Sequence, residues 1–272
     1  MKRNDLSEEY KRIFPTFKVG WKYEEIFSAL EFLGNPHKKI ENKVIHITGT
    51  NGKGSICSYI KTILETTGYK VGVFTSPHLV KYNERFYFNK RYATNEEIEK
   101  CKNEVLEKCK IILTFFELNT IIAIMLFSNH FNKKNFEQLD FCIFEVNMGG
   151  RFDSTNIFQN LIACGITSIS FDHMEYIGNS LEKIVYEKGG IIKSKVPCFT
   201  TNTKPEIINV LQKIADGIGI KLYKLEKDFN LDFTLKPSLS GYHQFENATL
   251  AKEICKYIGI DEKYIREGIS NT

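Results

Sequence analysis

One stretch constrains the fold more than any other. Residues 43–48 (KVIHIT) are a short apolar, β-branched run, and residues 49–55 (GTNGKGS) are a glycine-rich turn. Ile56, Tyr59, Ile60, Ile63, Leu64 and Thr67 then recur at helical spacing, with Gly68 where a helix C-cap belongs. A second apolar run, YKVGVF at 69–74, follows at once. Strand, turn, helix and strand make a βαβ unit, which demands a parallel sheet with a right-handed crossover.

The alternation continues along the chain. Residues 95–110 read as an exposed amphipathic helix with Asn95 as its N-cap candidate, and 115–128 as a buried helix. FCIFEV at 141–146 and LIACGITSISF at 161–171 are nearly continuous apolar runs, as expected of strands covered on both faces. A helix over 180–192, a strand near 196–200, a helix from Pro205 to about Ala215, a strand near 220–225 and a last helix from His243 complete the pattern. The predicted architecture is α/β, a doubly wound and mostly parallel sheet. With 42% hydrophobic and 26% charged positions in 272 residues, the chain can bury a core without staples.

Composition excludes several roles. The net charge is +4, only six of the 37 basic residues are arginine, and the lysines are spread rather than clustered, so no nucleic-acid surface is expected. No run approaches the roughly 20 apolar residues of a membrane span, and MKRNDLSEEYKR is no secretory signal. A cytosolic protein without a membrane partner is expected. The seven cysteines (Cys57, Cys101, Cys109, Cys142, Cys164, Cys198 and Cys255) are odd in number and form no CxxC pair, and read as buried small hydrophobes.

In such sheets ligands bind beyond the carboxyl ends of the strands, so the residues at those ends carry the functional information. The first strand delivers Gly49, Thr50, Asn51, Gly52, Lys53, Gly54 and Ser55, a turn whose bare N–H groups and following helix N-terminus suit a phosphate chain. Lys53 supplies a point charge to it. The spacing departs from GxxxxGK[ST], since Gly54 separates the lysine from the serine. The second strand delivers Thr75, Ser76, Pro77 and His78, where Ser76 reads equally as a helix cap and His78 as a structural histidine. The FCIF strand ends in Glu145, a magnesium-holding carboxylate or else a buried acid paired with Arg151. The ITSISF run ends in Asp172 and His173. Parallel strands bring these ends to one cleft, and an oxygen-rich donor set favours Mg²⁺. The residues themselves lead to a magnesium-dependent NTP enzyme.

Seven segments, in order, carry a further resemblance: HITGTNGKGS (46–55), SPHLVKYNER (76–85), TFFELNT (114–120), EVNMGGRFDSTN (145–156), ITSISFDHMEYIG (166–178), EKGGIIK (187–193) and GYHQFENATLA (241–251). They resemble the folylpolyglutamate synthase and dihydrofolate synthase family, a branch of the Mur ligase superfamily. The resemblance implies an ATP-dependent ligase that adds L-glutamate to dihydropteroate or a folate through an acyl phosphate. It implies that Gly49 to Ser55 hold the triphosphate, that Asn247 contacts the nucleotide, and that Ser76, Glu145 and His173 hold magnesium, with two ions expected. By the same resemblance Lys53, Lys188 and His173 serve catalysis, Lys188 matches a lysine carbamylated in the superfamily, and Thr114, Phe152, Asp153 and Ser154 line the pterin pocket. The implied partners are ATP, the pteroate or folate and glutamate, acting on a monomer.

The organisation expected is an N-terminal helical segment over 1–42, matching FKVGWKYEEIFSALEFLGNP, and a P-loop ATP-binding domain over 43–272. The family's C-terminal glutamate-ligase domain is expected to be missing, so the alternatives are a truncated nucleotide-binding domain or one half of a split enzyme. A sister ligase of peptidoglycan precursors is disfavoured by FDSTN, and a P-loop kinase by the lack of an acceptor lid. Three positions depart from the family pattern. Asn147 replaces a glycine, acceptable if that site has positive φ; Gly190 replaces an alanine, expected only to loosen a helix; and Trp21 replaces a small residue.

Overall fold

The structure is a computed structural model that describes residues 6–14, 24–131, 138–171 and 180–272. In chain order the helices are α1 (Leu6–Ile13), α2 (Glu24–Phe32), α3 (Lys53–Thr66), α4 (Asn95–Lys108), α5 (Phe115–Phe127), α6 (Leu181–Lys188), α7 (Pro205–Gly217), α8 (His243–Tyr257) and α9 (Glu262–Ser270). The strands are β1 (Val44–Thr48), β2 (Val71–Phe74), β3 (Phe86–Phe88), β4 (Arg91–Tyr92), β5 (Phe141–Glu145), β6 (Ala163–Ile166), β7 (Cys198–Thr200) and β8 (Leu222–Lys224).

They form one eight-stranded sheet in the order β4-β3-β2-β5-β1-β6-β7-β8. The run from β2 to β8 is parallel, and β3 and β4 extend it antiparallel. The order of winding reverses at β1, which pairs with β5 on one side (Ile47 opposite Glu145) and β6 on the other (Ile47 opposite Gly165). A crevice opens at such a reversal, and the turn leaving β1 lies in it.

Side-chain alternation along the strands sorts the core onto the two faces. Ile45 and Ile47 of β1 pack with Ile56, Ile60 and Ile63 of α3 and with α8 and α9. On the opposite face Val44, Phe74 and Phe144 join α2, α4 and α5, while Cys164, Ile166 and Cys198 join α6 and α7. The doubly wound expectation holds. A Cβ on Gly268 would lie 2.5 Å from Ile63 Cα, so glycine is what lets α9 rest against the backbone of α3. All seven cysteines are buried and free. Among the described residues no helix is long and apolar enough to cross a membrane.

Several boundaries differ from expectation. The N-cap of α4 is Thr94 rather than Asn95: its hydroxyl accepts the Glu97 N–H at 3.2 Å while Glu97 accepts the Thr94 N–H at 2.8 Å. The apolar run 161–171 leaves the ladder after Ile166, because the following residues pair with the turn after β1 instead. Helix α6 ends at Lys188 and tightens into a 3₁₀ turn over Gly189–Ile191. The β3–β4 hairpin and α9 were not anticipated.

Candidate active site

The turn leaving β1 is shaped by close approaches. Gly49 (φ 149°) and Gly52 (φ 86°) have positive φ, and Gly52 is the left-handed N-cap of α3. A Cβ on Gly49 would stand 1.7 Å from Thr167 Oγ1, and one on Gly52 would stand 2.3 Å from Asn247 Oδ1. Both positions therefore require glycine for space as well as for conformation.

The turn is braced from β6. The Thr50 N–H donates to the Ser168 carbonyl at 2.8 Å, and the Thr50 hydroxyl donates to the Ser170 carbonyl while accepting the Ser170 N–H, both at 3.1 Å. The Thr167 hydroxyl donates to the Asn51 carbonyl at 2.5 Å. From α8, Gln244 reaches Ser55 Oγ at 3.3 Å and accepts from Asn247 Nδ2 at 3.1 Å.

Two ammonium groups converge on one carbonyl. Lys53 Nζ donates to Gly49 O at 3.1 Å and Thr50 O at 3.2 Å, and Lys188 Nζ, from the end of α6, donates to Gly49 O at 2.9 Å. Lys188 is 2% exposed, so the carbonyl it uses takes the place of water. With the free N–H groups at the start of α3, these cations make the turn an anion cradle.

Glu145 ends β5 beside this cradle, its Oε2 lying 3.8 Å from where a Gly54 Cβ would be. It is buried, and its hydrogen-bond donor is the Ser76 N–H at 3.3 Å. Burial pushes its pKa up to about 7, opposed by the charges of Lys53 and Arg85. The sequence alternative of a Glu145–Arg151 pair is not what forms: the Arg151 guanidinium lies 4.0 Å over the Tyr186 ring. A buried carboxylate with one long N–H contact among the described residues suits a hard cation. Ser76 Oγ, which reaches Asn147 Oδ1 at only 3.4 Å, is the neighbouring oxygen donor. Among the described residues no group of three or more His, Cys, Asp or Glu could hold a metal ion by itself. Glu145 and Ser76 therefore fit a magnesium ion that takes its remaining oxygens from phosphate and water, as Mg²⁺ does.

His173 and Asp172 lie outside the described residues, as does Trp21. His78 accepts from Arg85 Nε at 2.9 Å and stands edge-on to Tyr82, which favours its structural reading. Thr114 caps α5, accepting the Glu117 N–H at 3.2 Å. Phe152 is half exposed, whereas Ser154 is buried against Thr120 Oγ1 at 2.7 Å, a bond that ties α5 to this turn. Asp153 is buried with both oxygens in use: Oδ1 takes the Thr155 N–H and hydroxyl at 2.9 and 2.5 Å, and Oδ2 takes the Asn147 and Met148 N–H groups, both at 3.1 Å. Burial nevertheless raises its pKa.

Two departures read differently in three dimensions. Asn147 is not a positive-φ residue; the glycine conformation of that turn falls on Gly149, at φ 65°. Gly190 does more than loosen a helix, because a Cβ there would lie 2.4 Å from Arg151 Cα. Sequence reasoning missed Gln244, although its spacing of three from Asn247 puts both on one face of α8, and it missed Thr167, for which no local signal exists.

A glycine turn between a central parallel strand and a helix, with a carboxylate at the end of the adjacent strand, defines a nucleotide-binding α/β domain of the P-loop type. The sequence profile of the Mur ligase middle domain matches residues 47–252, and the chain belongs to that family. It is 40% identical over 270 residues to a dihydrofolate synthase/folylpolyglutamate synthase of Bacillus subtilis, covering 87% of this chain and 61% of the relative. It is 36% identical over 245 residues to a folylpolyglutamate synthase of Arabidopsis thaliana, covering 86% of this chain and 38% of the relative. The structure of E. coli FolC in complex with DHPP and ADP superposes with a TM-score of 0.83 at 29% identity, over 97% of this chain and 64% of that one. The chain thus spans between 38% and 61% of the length of these two curated relatives.

Proposed function

We propose that this chain is the nucleotide-binding part of an ATP-dependent ligase that joins L-glutamate to dihydropteroate or a reduced folate through an acyl phosphate. The observation that carries the reading is the meeting of Lys53, Lys188 and Glu145 around the Gly49–Ser55 turn. The names and bound ligands of the relatives support the choice of substrates.

A carboxylate resists attack by an amine because its leaving group would be oxide. Transfer of the γ-phosphoryl of ATP to the acceptor carboxylate forms a C(O)O–P bond, breaks the β,γ P–O bond and releases ADP. The glutamate amine then adds to the acyl carbon, and the tetrahedral intermediate collapses with loss of phosphate and a proton. In this scheme the α3 N-terminus and Gly49 to Ser55 hold the phosphate chain, Lys53 offsets charge on the moving phosphoryl group, and Asn247 with Gln244 borders the nucleotide. Magnesium, held by Glu145 and Ser76 and by the His173 that the resemblance adds, supplies charge neutralisation of the phosphates. Thr114, Phe152, Asp153 and Ser154 border the acceptor pocket, Asp153 by shaping the turn. Carbamylation of Lys188 replaces a cation with an anion near the metal and is read by native mass spectrometry as a CO₂ increment. The proposed organisation is a helical segment over 1–42 and an ATP-binding domain over 43–272, acting as a cytosolic monomer.

The test is phosphate release with ATP, Mg²⁺, L-glutamate and dihydropteroate, with and without a C-terminal domain from a full-length relative, alongside direct titration with an ATP analogue. Analogue binding by the chain, with turnover when the second domain is supplied, is expected. Absence of analogue binding refutes the reading. Binding without turnover in either arm leaves the second reading, a nucleotide-binding module.

A further inference from the structure

Asn202 lies two residues past the end of β7 and is buried, with every hydrogen-bonding atom of its amide in use. Nδ2 donates to the Thr167 carbonyl at 2.7 Å and to Thr200 Oγ1 at 2.8 Å, and Oδ1 accepts the Ile169 N–H at 3.0 Å. A carbonyl at one residue and an N–H two residues on are the pair that a neighbouring parallel strand engages. The β6–β7 ladder has ended by then, at Ile166 opposite Thr200. The side-chain amide of Asn202 therefore stands in for a peptide group and prolongs the pairing by one step.

The consequence lies on the other edge of the same segment. In an extended chain the N–H and C=O of one residue share a side, and those of the next residue take the other. With the Thr167 carbonyl and Ile169 N–H turned to Asn202, the Ser168 carbonyl turns the other way, to the Thr50 N–H at 2.8 Å, just past the Thr167 N–H to Thr48 carbonyl bond at 2.8 Å that closes the pairing with β1. The Thr167 hydroxyl then meets the Asn51 carbonyl and fills the space that makes Gly49 a glycine.

We propose that Asn202 is a positioning residue for the nucleotide turn, acting through Thr167 and Ser168 from more than 30 residues away in the chain. This rests on the reading of that turn as the nucleotide site. Asparagine is the residue that fits: aspartate lacks both donors and would set a carboxylate against the Thr167 carbonyl, and leucine offers neither donor nor acceptor.

The test compares wild type, Asn202→Asp, Thr167→Val and Thr167→Ser by calorimetric titration with a non-hydrolysable ATP analogue and by thermal melting. Loss of one buried hydrogen bond that fixes the turn should weaken binding about tenfold in Asn202→Asp and Thr167→Val. Thr167→Ser, which keeps the hydroxyl, should bind within about twofold of wild type, a rescue that a purely structural role does not predict. Folded Asn202→Asp with wild-type affinity overturns the proposal. If that variant does not fold, equal affinity in Thr167→Val and Thr167→Ser overturns it and a loss confined to Thr167→Val supports it. If wild type fails to bind the analogue, the nucleotide reading itself falls and takes this proposal with it.

Discussion

His46 sits in the middle of β1, wholly buried, with Nε2 at 2.8 Å from Thr155 Oγ1. The Thr155 hydroxyl spends its single proton on Asp153 Oδ1 at 2.5 Å, so it must accept from the ring. That fixes the Nε2–H tautomer and leaves Nδ1 as a buried atom without a partner among the described residues. Burial, with the Lys193 charge nearby, pushes the pKa from 6.5 down to about 3. The unfolded chain binds a proton here near pH 6.5 and the folded one only near pH 3, so stability is lost as pH falls between those values. At about 1.36 kcal/mol per unit, the loss from this residue is ~2 kcal/mol at pH 5. Glu145 acts in the opposite sense, since its raised pKa makes the folded state take up a proton first, below pH 7. The diagnostic is therefore a difference between two proteins. His46→Gln retains a donor toward Thr155 without a titrating ring, and urea denaturation followed by circular dichroism at pH 7, 6 and 5 measures both. The variant should gain ~2 kcal/mol relative to wild type between pH 7 and 5. Stability curves that run parallel over that range refute the reasoning.

Lys53→Ala removes a cation that donates to the turn carbonyls of Gly49 and Thr50, so fluorescence titration should show nucleotide affinity falling by about a hundredfold or more with little change in melting temperature. Gly190→Ala is favoured by helix propensity, yet its Cβ would strike Arg151 Cα at 2.4 Å; differential scanning calorimetry should show a loss of ~1–3 kcal/mol, and a gain would contradict the packing. Asp232 pairs with Lys252 at 2.6 Å and Arg266 at 3.1 Å; the Lys252 charge and the Thr234 N–H and hydroxyl hold its pKa well below the usual range against its burial. Its contribution is present above about pH 4 and is lost as pH falls further, so Asp232→Asn should cost ~1 kcal/mol at pH 7 and less below pH 3, by urea titration.

The sheet and much of the site were legible because their signals are local. GTNGKGS and Glu145 each lie at the end of an apolar strand, and parallel pairing brings such ends together, whereas Asn247, inside α8, came from the family resemblance alone. The β3–β4 hairpin escaped because its turn is Asn89-Lys90, with φ 50° and 59°, and lysine does not advertise a left-handed conformation as glycine does. Helix α9 was signalled by Asp261, whose carboxylate caps the Lys263 N–H, and by Ile265 and Ile269 one turn apart, but α8 absorbed the reading of the C-terminal region. Asp153 illustrates a different limit. A buried carboxylate that organises its own turn and one that meets a ligand look the same in a sequence. The burial and four donors of this one become visible only in space.

The strand order also governs when the site can exist during synthesis. Ile47 of β1 lies beside Glu145 and Gly165, about a hundred residues further on, and the turn is flanked by Gln244 and Asn247, about two hundred residues on. Chain closure over such separations is slow compared with local helix formation. A nascent chain that has extruded only the first βαβ unit carries every glycine and lysine of GTNGKGS but neither the carboxylate nor the brace. On the proposed reading, nucleotide capture therefore requires that β5 has inserted between β1 and β2 and that the chain is available as far as Asn247. ATP would act as a late checkpoint on folding, stabilising the finished sheet by mass action and leaving earlier intermediates untouched.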